Sequence, residues 1–535
     1  MSRAQSERQR GRRGASMRVV LFFSSLLLSV TAYAKGNFQR AYQLIDQDRV
    51  EEAAAEVAEL TRDHATEADV MFLDGEMQFL HGDYAAAAEK LKEAAFKLPS
   101  KSHLAEEARE LAALSSSTGA ATKSMTATRG SHFVIYASGP DLLLVPYAEE
   151  ALERAYAALR EDFGHDTKEP IRVEIFPEVA DLARVSTLTL KEIETSGTIA
   201  LCKYNRLMIV SPRALLTGYP WLDTLNHEYT HFVISKTSHN TVPIWLHEGL
   251  AKYEERRWRG PGGGGLTPSL EHLLATGLAK KHLITFEEMH PSMAKLPSQE
   301  DTALAFAEVY MAVEYLAGQV GWGGIRKVIA GMREGKSDGQ AVAAVVGGTF
   351  ADFQLHWREW LGTRKLKTYP GLFPTALRFR KNPGKPGKGE ELDASDIGQE
   401  AAKKTARLGG LLRVRHRLRA AAVEYEKAQK LLGPGNPQVS HKLGRTYLEL
   451  GEPDRAIAVV EPALAQYPEI SGPQATLGES YLKKGDFDRA EKFLLGALAI
   501  SPFDPALHCG LEKIYRQRSD PRAEREAKSC KELTP

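Results

Sequence analysis

The chain has 535 residues, 70 basic and 69 acidic side chains, a formal charge of +1 and three cysteines. A single hydrophobic core stops growing near ~250–300 residues, so the length requires several domains. The near-zero charge excludes a global field for nucleic acid, and three cysteines exclude a disulfide framework.

The N-terminus reads as a secretory signal over residues 1–34. Arg8, Arg10, Arg12, Arg13 and Arg18 form a basic region, Val19 to Val30 an apolar run, and Ala32-Tyr33-Ala34 an A-x-A cleavage site. Spanning a bilayer takes ~20 apolar residues, so no membrane span is expected after cleavage. A periplasmic or secreted location follows.

Residues 35–118 carry a repeat signature. Gly75, Gly82, Ala87 and Pro99 have the same spacing as Gly478, Gly485, Ala490 and Pro502 near the other end. Gly444, Tyr447, Gly451, Ala456 and Pro468 recur as Gly478, Tyr481, Gly485, Ala490 and Pro502. This is tetratricopeptide-like spacing over residues 401–535, in which helix pairs bury their faces only by stacking. Such arrays predict protein partners. Cys509 and Cys530 fall on two helices of one predicted hairpin and either pair or stay free; Cys202 is left over.

Ser115 to Gly119 has linker composition. His132 to Ala137 then reads as a strand, Val145 to Phe163 as a helix, and Ile171 to Phe176 and Leu207 to Val210 as strands. Gly260 to Gly265 reads as a flexible loop, and residues 366–400, with the basic stretch Lys381 to Gly389, as a linker.

The chemistry lies between the repeats. His227-Glu228-Tyr229-Thr230-His231 places two imidazoles one helical turn apart on one face. That spacing grips a metal, with Glu228 beside it to handle a water proton. Glu248, in Trp245-Leu246-His247-Glu248-Gly249-Leu250-Ala251, offers a third ligand and leaves one position open for water. Asp223 and Glu255 are candidates to orient the histidines. His247 reads as a bystander on another face, and His239, His282 and His290 as surface residues.

H-E-x-x-H followed by W-L-x-E-G-L-A resembles the gluzincins, and among them the peptidase MA-like bacterial proteins. The likeness covers roughly residues 130–365 and continues through Ala307 to Leu316 and Gly321. It implies an α+β zincin-like metallopeptidase domain between all-α tetratricopeptide-like helical repeat regions. It further implies one Zn²⁺ per chain on His227, His231 and Glu248, with Glu228 as catalytic acid/base. Tyr310 is the candidate partner for the oxyanion, since Phe306 stands where relatives often carry tyrosine. Leu207 to Val210 is either the edge strand that holds substrate in that family or a plain sheet member. No G-x-M-E-N segment is present, so aminopeptidase activity is not supported.

Two functions follow. One is an exported zinc endopeptidase acting on protein or peptide substrates, its repeats recruiting partners. The other is a repeat scaffold with a vestigial zincin domain. Glu228 separates them, because a dead scaffold commonly loses its general base first. Zinc hydrolysis of a non-peptide amide is a third possibility.

Overall fold

The computed structural model describes residues 32–261, 264–369, 372, 377–380 and 397–534. The basic and apolar parts of the expected signal, and Lys381 to Gly389, lie outside them.

Two antiparallel hairpins open the described chain: α1 (Ala32–Asp46) with α2 (Val50–His64), and α3 (Ala68–His81) with α4 (Tyr84–Lys97). Next comes α5 (His103–Thr122). The expected linker Ser115 to Gly119 is part of α5. Ser115 and Ser116 donate their hydroxyls to the carbonyls of Leu111 and Ala112 at 2.7 and 2.9 Å, so polar side chains that favour loops are satisfied within the helix.

The central domain runs β1 (Thr126–Arg129), β2 (Phe133–Ala137), α6 (Val145–Phe163), β3 (Ile171–Phe176), α7 (Val179–Arg184), α8 (Leu190–Ser196), β4 (Ala200–Lys203) and β5 (Arg206–Val210). It continues with α9 (Trp221–Ser238), α10 (Ile244–Glu254), α11 (Pro268–Lys280), α12 (Gln299–Arg333), α13 (Asp338–Val346) and α14 (Phe350–Thr363). The sheet order is β1-β2-β3-β5-β4. The inner pairs β2/β3 and β3/β5 are parallel, and the outer pairs are antiparallel. Leu207 to Val210 is therefore interior, between β3 and β4. The edge beside α9 is β4, whose Ala-Leu-Cys-Lys sequence lacks the β-branched residues that announce a strand.

α12 breaks at Gly321, where φ is 61°. A side chain is strained there, so glycine ends the regular helix.

Four hairpins complete the chain: α15 (Glu400–Val414) and α16 (Leu418–Leu432), α17 (Pro437–Glu449) and α18 (Pro453–Gln466), α19 (Ser471–Lys483) and α20 (Phe487–Leu498), α21 (Pro505–Gln517) and α22 (Arg522–Leu533). A disulfide between Cys509 and Cys530 joins α21 to α22, and Cys202 stays free. Between the central domain and these hairpins, the described linker residues are docked rather than free. The Tyr369 hydroxyl donates to Glu271 at 2.8 Å, and Arg380 donates to the Leu215 carbonyl at 3.0 Å.

Both arrays pack onto the central domain. One apolar core runs from Phe133 through the sheet and α9 into Leu494, Leu511 and Ala523 of the last repeats. The N-terminal helices have their own core. They meet the sheet at a buried polar cluster. Tyr84 donates to Glu174 at 2.5 Å, and Arg172 and Arg206 approach the same carboxylate at 2.6 and 3.2 Å. The Arg206 guanidinium lies under the rings of Phe79, Tyr84 and Tyr204, so its charge is buried against π faces.

Candidate metal centre

α9 carries His227, Glu228 and His231, and α10 brings Glu248 to them. Nε2 of His227 lies 3.4 Å from Glu248 Oε2, and Nε2 of His231 lies 3.3 Å from the same oxygen. The two imidazoles are perpendicular, with centroids 4.6 Å apart. This trio is the one group of three metal-ligating side chains found among the described residues. Its spacing fits a tetrahedral ion, since bonds of about 2.0–2.1 Å give ligand–ligand edges of about 3.4 Å.

Gly249 explains why α10 reaches so far in. A Cβ there would meet Val313 Cγ2 at 2.7 Å and the Val309 carbonyl oxygen at 2.9 Å. Glycine lets α10 press against α12 and places Glu248 over α9.

The trio is nearly closed to solvent, with side-chain exposures of 12% for His227, 10% for His231 and 21% for Glu248. Burial works against charge on His227, but the neighbouring carboxylates of Glu248, Glu255 and Glu228 outweigh it and raise its pKa to about 10. Burial likewise opposes charge on Glu248, yet the two imidazoles hold its carboxyl well below the usual range. The carboxylates of Glu228, Glu248 and Glu255 thus surround the imidazoles with negative charge, a setting that favours a cation.

Glu228 is 7% exposed. Burial raises its pKa against the opposing pull of His231 and His227, and the Cys202 backbone N–H donates to its carboxylate. The strand register explains this contact. Val210 N–H donates to the Ile199 carbonyl at 2.8 Å, and the pairing continues through Leu201/Met208 and Lys203/Arg206. Ala200 and Cys202 therefore turn their backbone groups away from β5.

Of the two expected orienting carboxylates, the structure brings one to the histidines. Glu255 Oε2 lies 3.7 Å from His227 Nδ1 and is pinned by Lys252 at 2.8 and 2.9 Å. Burial acts to raise Glu255, but the Lys252 and His227 charges bring it to about 2. Asp223 serves elsewhere: it accepts from Trp258 Nε1 and Arg259 Nε, both at 2.9 Å. It sits in the first turn of α9, and its partners come from the short turn Arg257–Arg259 after α10.

His247 is no bystander, since its ring stacks on His231. The i, i+4, i+8 row His227, His231, Ser235 on α9 was the available signal, because a residue beside Glu248 also meets that row. Of the three expected surface histidines, His282 is exposed and pairs with Asp301 at 3.2 Å. His239 forms the left-handed cap of α9.

Phe306 faces His227 at 6.1 Å between centroids. Tyr310, one turn later, is buried against Tyr253 at 5.4 Å, and the Gly265 N–H donates to its hydroxyl.

Residues 151–363 match the sequence profile of the Peptidase MA superfamily. Residues 38–102 and 441–505 match a tetratricopeptide-repeat profile. No curated protein matches the chain. Among solved structures, one titled MamA MSR-1 C2 is 22% identical and covers 26% of this chain and 79% of its own, at a TM-score of 0.22. The crystal structure of the APC/C hetero-tetramer Cut9-Hcn1 is 13% identical and covers 94% of this chain and 79% of its own, at a TM-score of 0.25. Superpositions this loose carry no structural argument. The profile matches and the fold agree: this chain carries a Peptidase MA superfamily domain set between two arrays of tetratricopeptide repeats.

Proposed function

We propose that the protein is an exported zinc endopeptidase whose repeats recruit its protein partners or substrates. The observation that carries this is the convergence of His227, His231 and Glu248 within 4.8 Å of one another, with Glu228 alongside. When bound by that trio, zinc supplies a Lewis acid for the scissile carbonyl and lowers the pKa of its water toward about 7.

The remaining work belongs to the chain. Glu228, kept basic by burial and aimed by the Cys202 N–H, takes the proton of the attacking water and passes it to the leaving amine. On β4 the outward backbone groups of Ala200 and the Cys202 carbonyl, the Cys202 N–H being taken by Glu228, suit an extended peptide, which adds to the sheet edge and is gripped with little regard to sequence. That grip supports internal cleavage. The resemblance alone gives the oxyanion to the Tyr310 hydroxyl, which lies one turn beyond Phe306, the residue that faces His227. The apolar run Val19 to Val30 and Ala32-Tyr33-Ala34 support export.

The test is casein hydrolysis by wild type and Glu228→Gln, each with its zinc content. The expected outcome is about one zinc per chain in both, with activity lost by at least ~100-fold in the variant. Full activity in Glu228→Gln contradicts the mechanism. An inactive wild type that holds zinc favours the scaffold.

A further inference from the structure

The two ligand histidines are oriented by different means. Nδ1 of His227 faces Glu255 at 3.7 Å, and Lys252 fixes that carboxylate. This is the common arrangement, in which a ligating imidazole hands its second nitrogen to an anion. His231 lacks it. The residue is 8% exposed, and its Nδ1 meets no hydrogen-bond partner among the described residues.

The face of the His231 ring lies instead on His247. The centroids are 4.5 Å apart and the planes within 9° of parallel. His247 Nε2 in turn meets Ser235 Oγ at 3.3 Å. Ser235 stands one turn beyond His231 on the same face of α9. A closed circuit results: His231 stacks on His247, His247 bonds Ser235, and Ser235 is tied to His231 through the helix. His247 also adjoins Glu248, so one short stretch of α10 supplies both a ligand and a brace.

We infer that His247 is a positioning residue, holding the imidazole plane of His231 for the metal by face-to-face stacking in place of a carboxylate hydrogen bond. The inference rests on the zinc reading above. An imidazole without a hydrogen bond at Nδ1 turns easily about its χ2 bond, and a flat ring pressed on its face blocks that turn. The stack needs a planar ring at position 247 but not its nitrogens.

The test measures zinc affinity by competition with a chromophoric chelator for wild type, His247→Ala and His247→Phe, with melting of each metal-free protein alongside. His247→Ala should bind zinc at least ~10-fold more weakly, while His247→Phe stays within about threefold of wild type. A role in packing alone would lower the metal-free melting temperature and leave zinc affinity unchanged. If His247→Ala folds poorly, His247→Leu, which keeps bulk but not a flat ring, takes its place and should likewise bind zinc at least ~10-fold more weakly than wild type. Wild-type affinity in a folded His247→Ala overturns the inference, as does a loss of ~10-fold or more in His247→Phe. A wild type that binds no zinc overturns the inference together with the reading beneath it; a wild type that binds zinc beside an equally tight His247→Ala overturns the inference alone.

Discussion

The indole Nε1 of Trp221 donates to the backbone carbonyl of Leu498 at 3.2 Å. Trp221 is the first residue of α9, the helix that carries His227 and His231, and Leu498 ends a helix of the C-terminal repeats. Two residues earlier, Tyr219 N–H donates to the Ile500 carbonyl at 3.1 Å. At the far end of the same helix, Lys236 Nζ donates to the Asp48 carbonyl of the N-terminal repeats at 2.8 Å. α9 is thus held at both ends by the arrays that flank its domain.

This bracing, and the apolar core shared with α19 to α22, predicts that the central domain and the last repeats unfold together. Calorimetry should show them in one transition. Trp221→Phe, which leaves the Leu498 carbonyl unpaired, should cost about 1–3 kcal/mol and lower that transition as a whole. Separate melting of the two parts contradicts the shared core.

Gly249 sits where added bulk has no room. Gly249→Ala must push α10 off Val313 and the Val309 backbone, since the contacts would be 2.7 and 2.9 Å. Overpacking of this kind costs about 1–3 kcal/mol, and Glu248 moves with the helix. The variant should lose both thermal stability and zinc affinity. Unchanged zinc binding in a destabilised Gly249→Ala would show that Glu248 is not placed by this contact.

Glu308 gives a pH dependence away from the metal. It is 1% exposed, and burial raises its carboxyl from 4.5 to about 8. The Ile284 N–H donates to it at 2.8 Å and offsets only part of the cost. Because the folded pKa is the higher one, the unfolded chain loses this proton first. Stability therefore falls as pH rises from about 4.5 to about 8, by up to about 1.4 kcal/mol per unit. Glu308→Gln should flatten that slope in melting curves and gain most at pH 8. Equal slopes in the two proteins would refute the assignment.

The convergence of His227, His231 and Glu248 was legible because its logic is local. His227 and His231 are one turn apart, and Glu248 falls in a second short helix of recognisable sequence. The long helix Val145–Phe163 and the strand Ile171–Phe176 were also readable from their apolar periods. What the sequence left open or missed depended on contacts across the fold. Leu207 to Val210 looks like any apolar strand, and only the short, unremarkable β4 beside it makes it interior. Ser115 to Gly119 hides a helix because its hydroxyls bond back to the preceding turn. Asp223 and His247 received the wrong roles because their partners, Arg259 and His231, come from other segments.

Zinc content of purified, unchelated protein, measured on wild type, His227→Ala and Glu248→Ala side by side, decides whether these side chains hold a metal. The geometry predicts about one zinc per chain in wild type and near none in either variant. A metal-free wild type, or variants that retain the full complement, would contradict it.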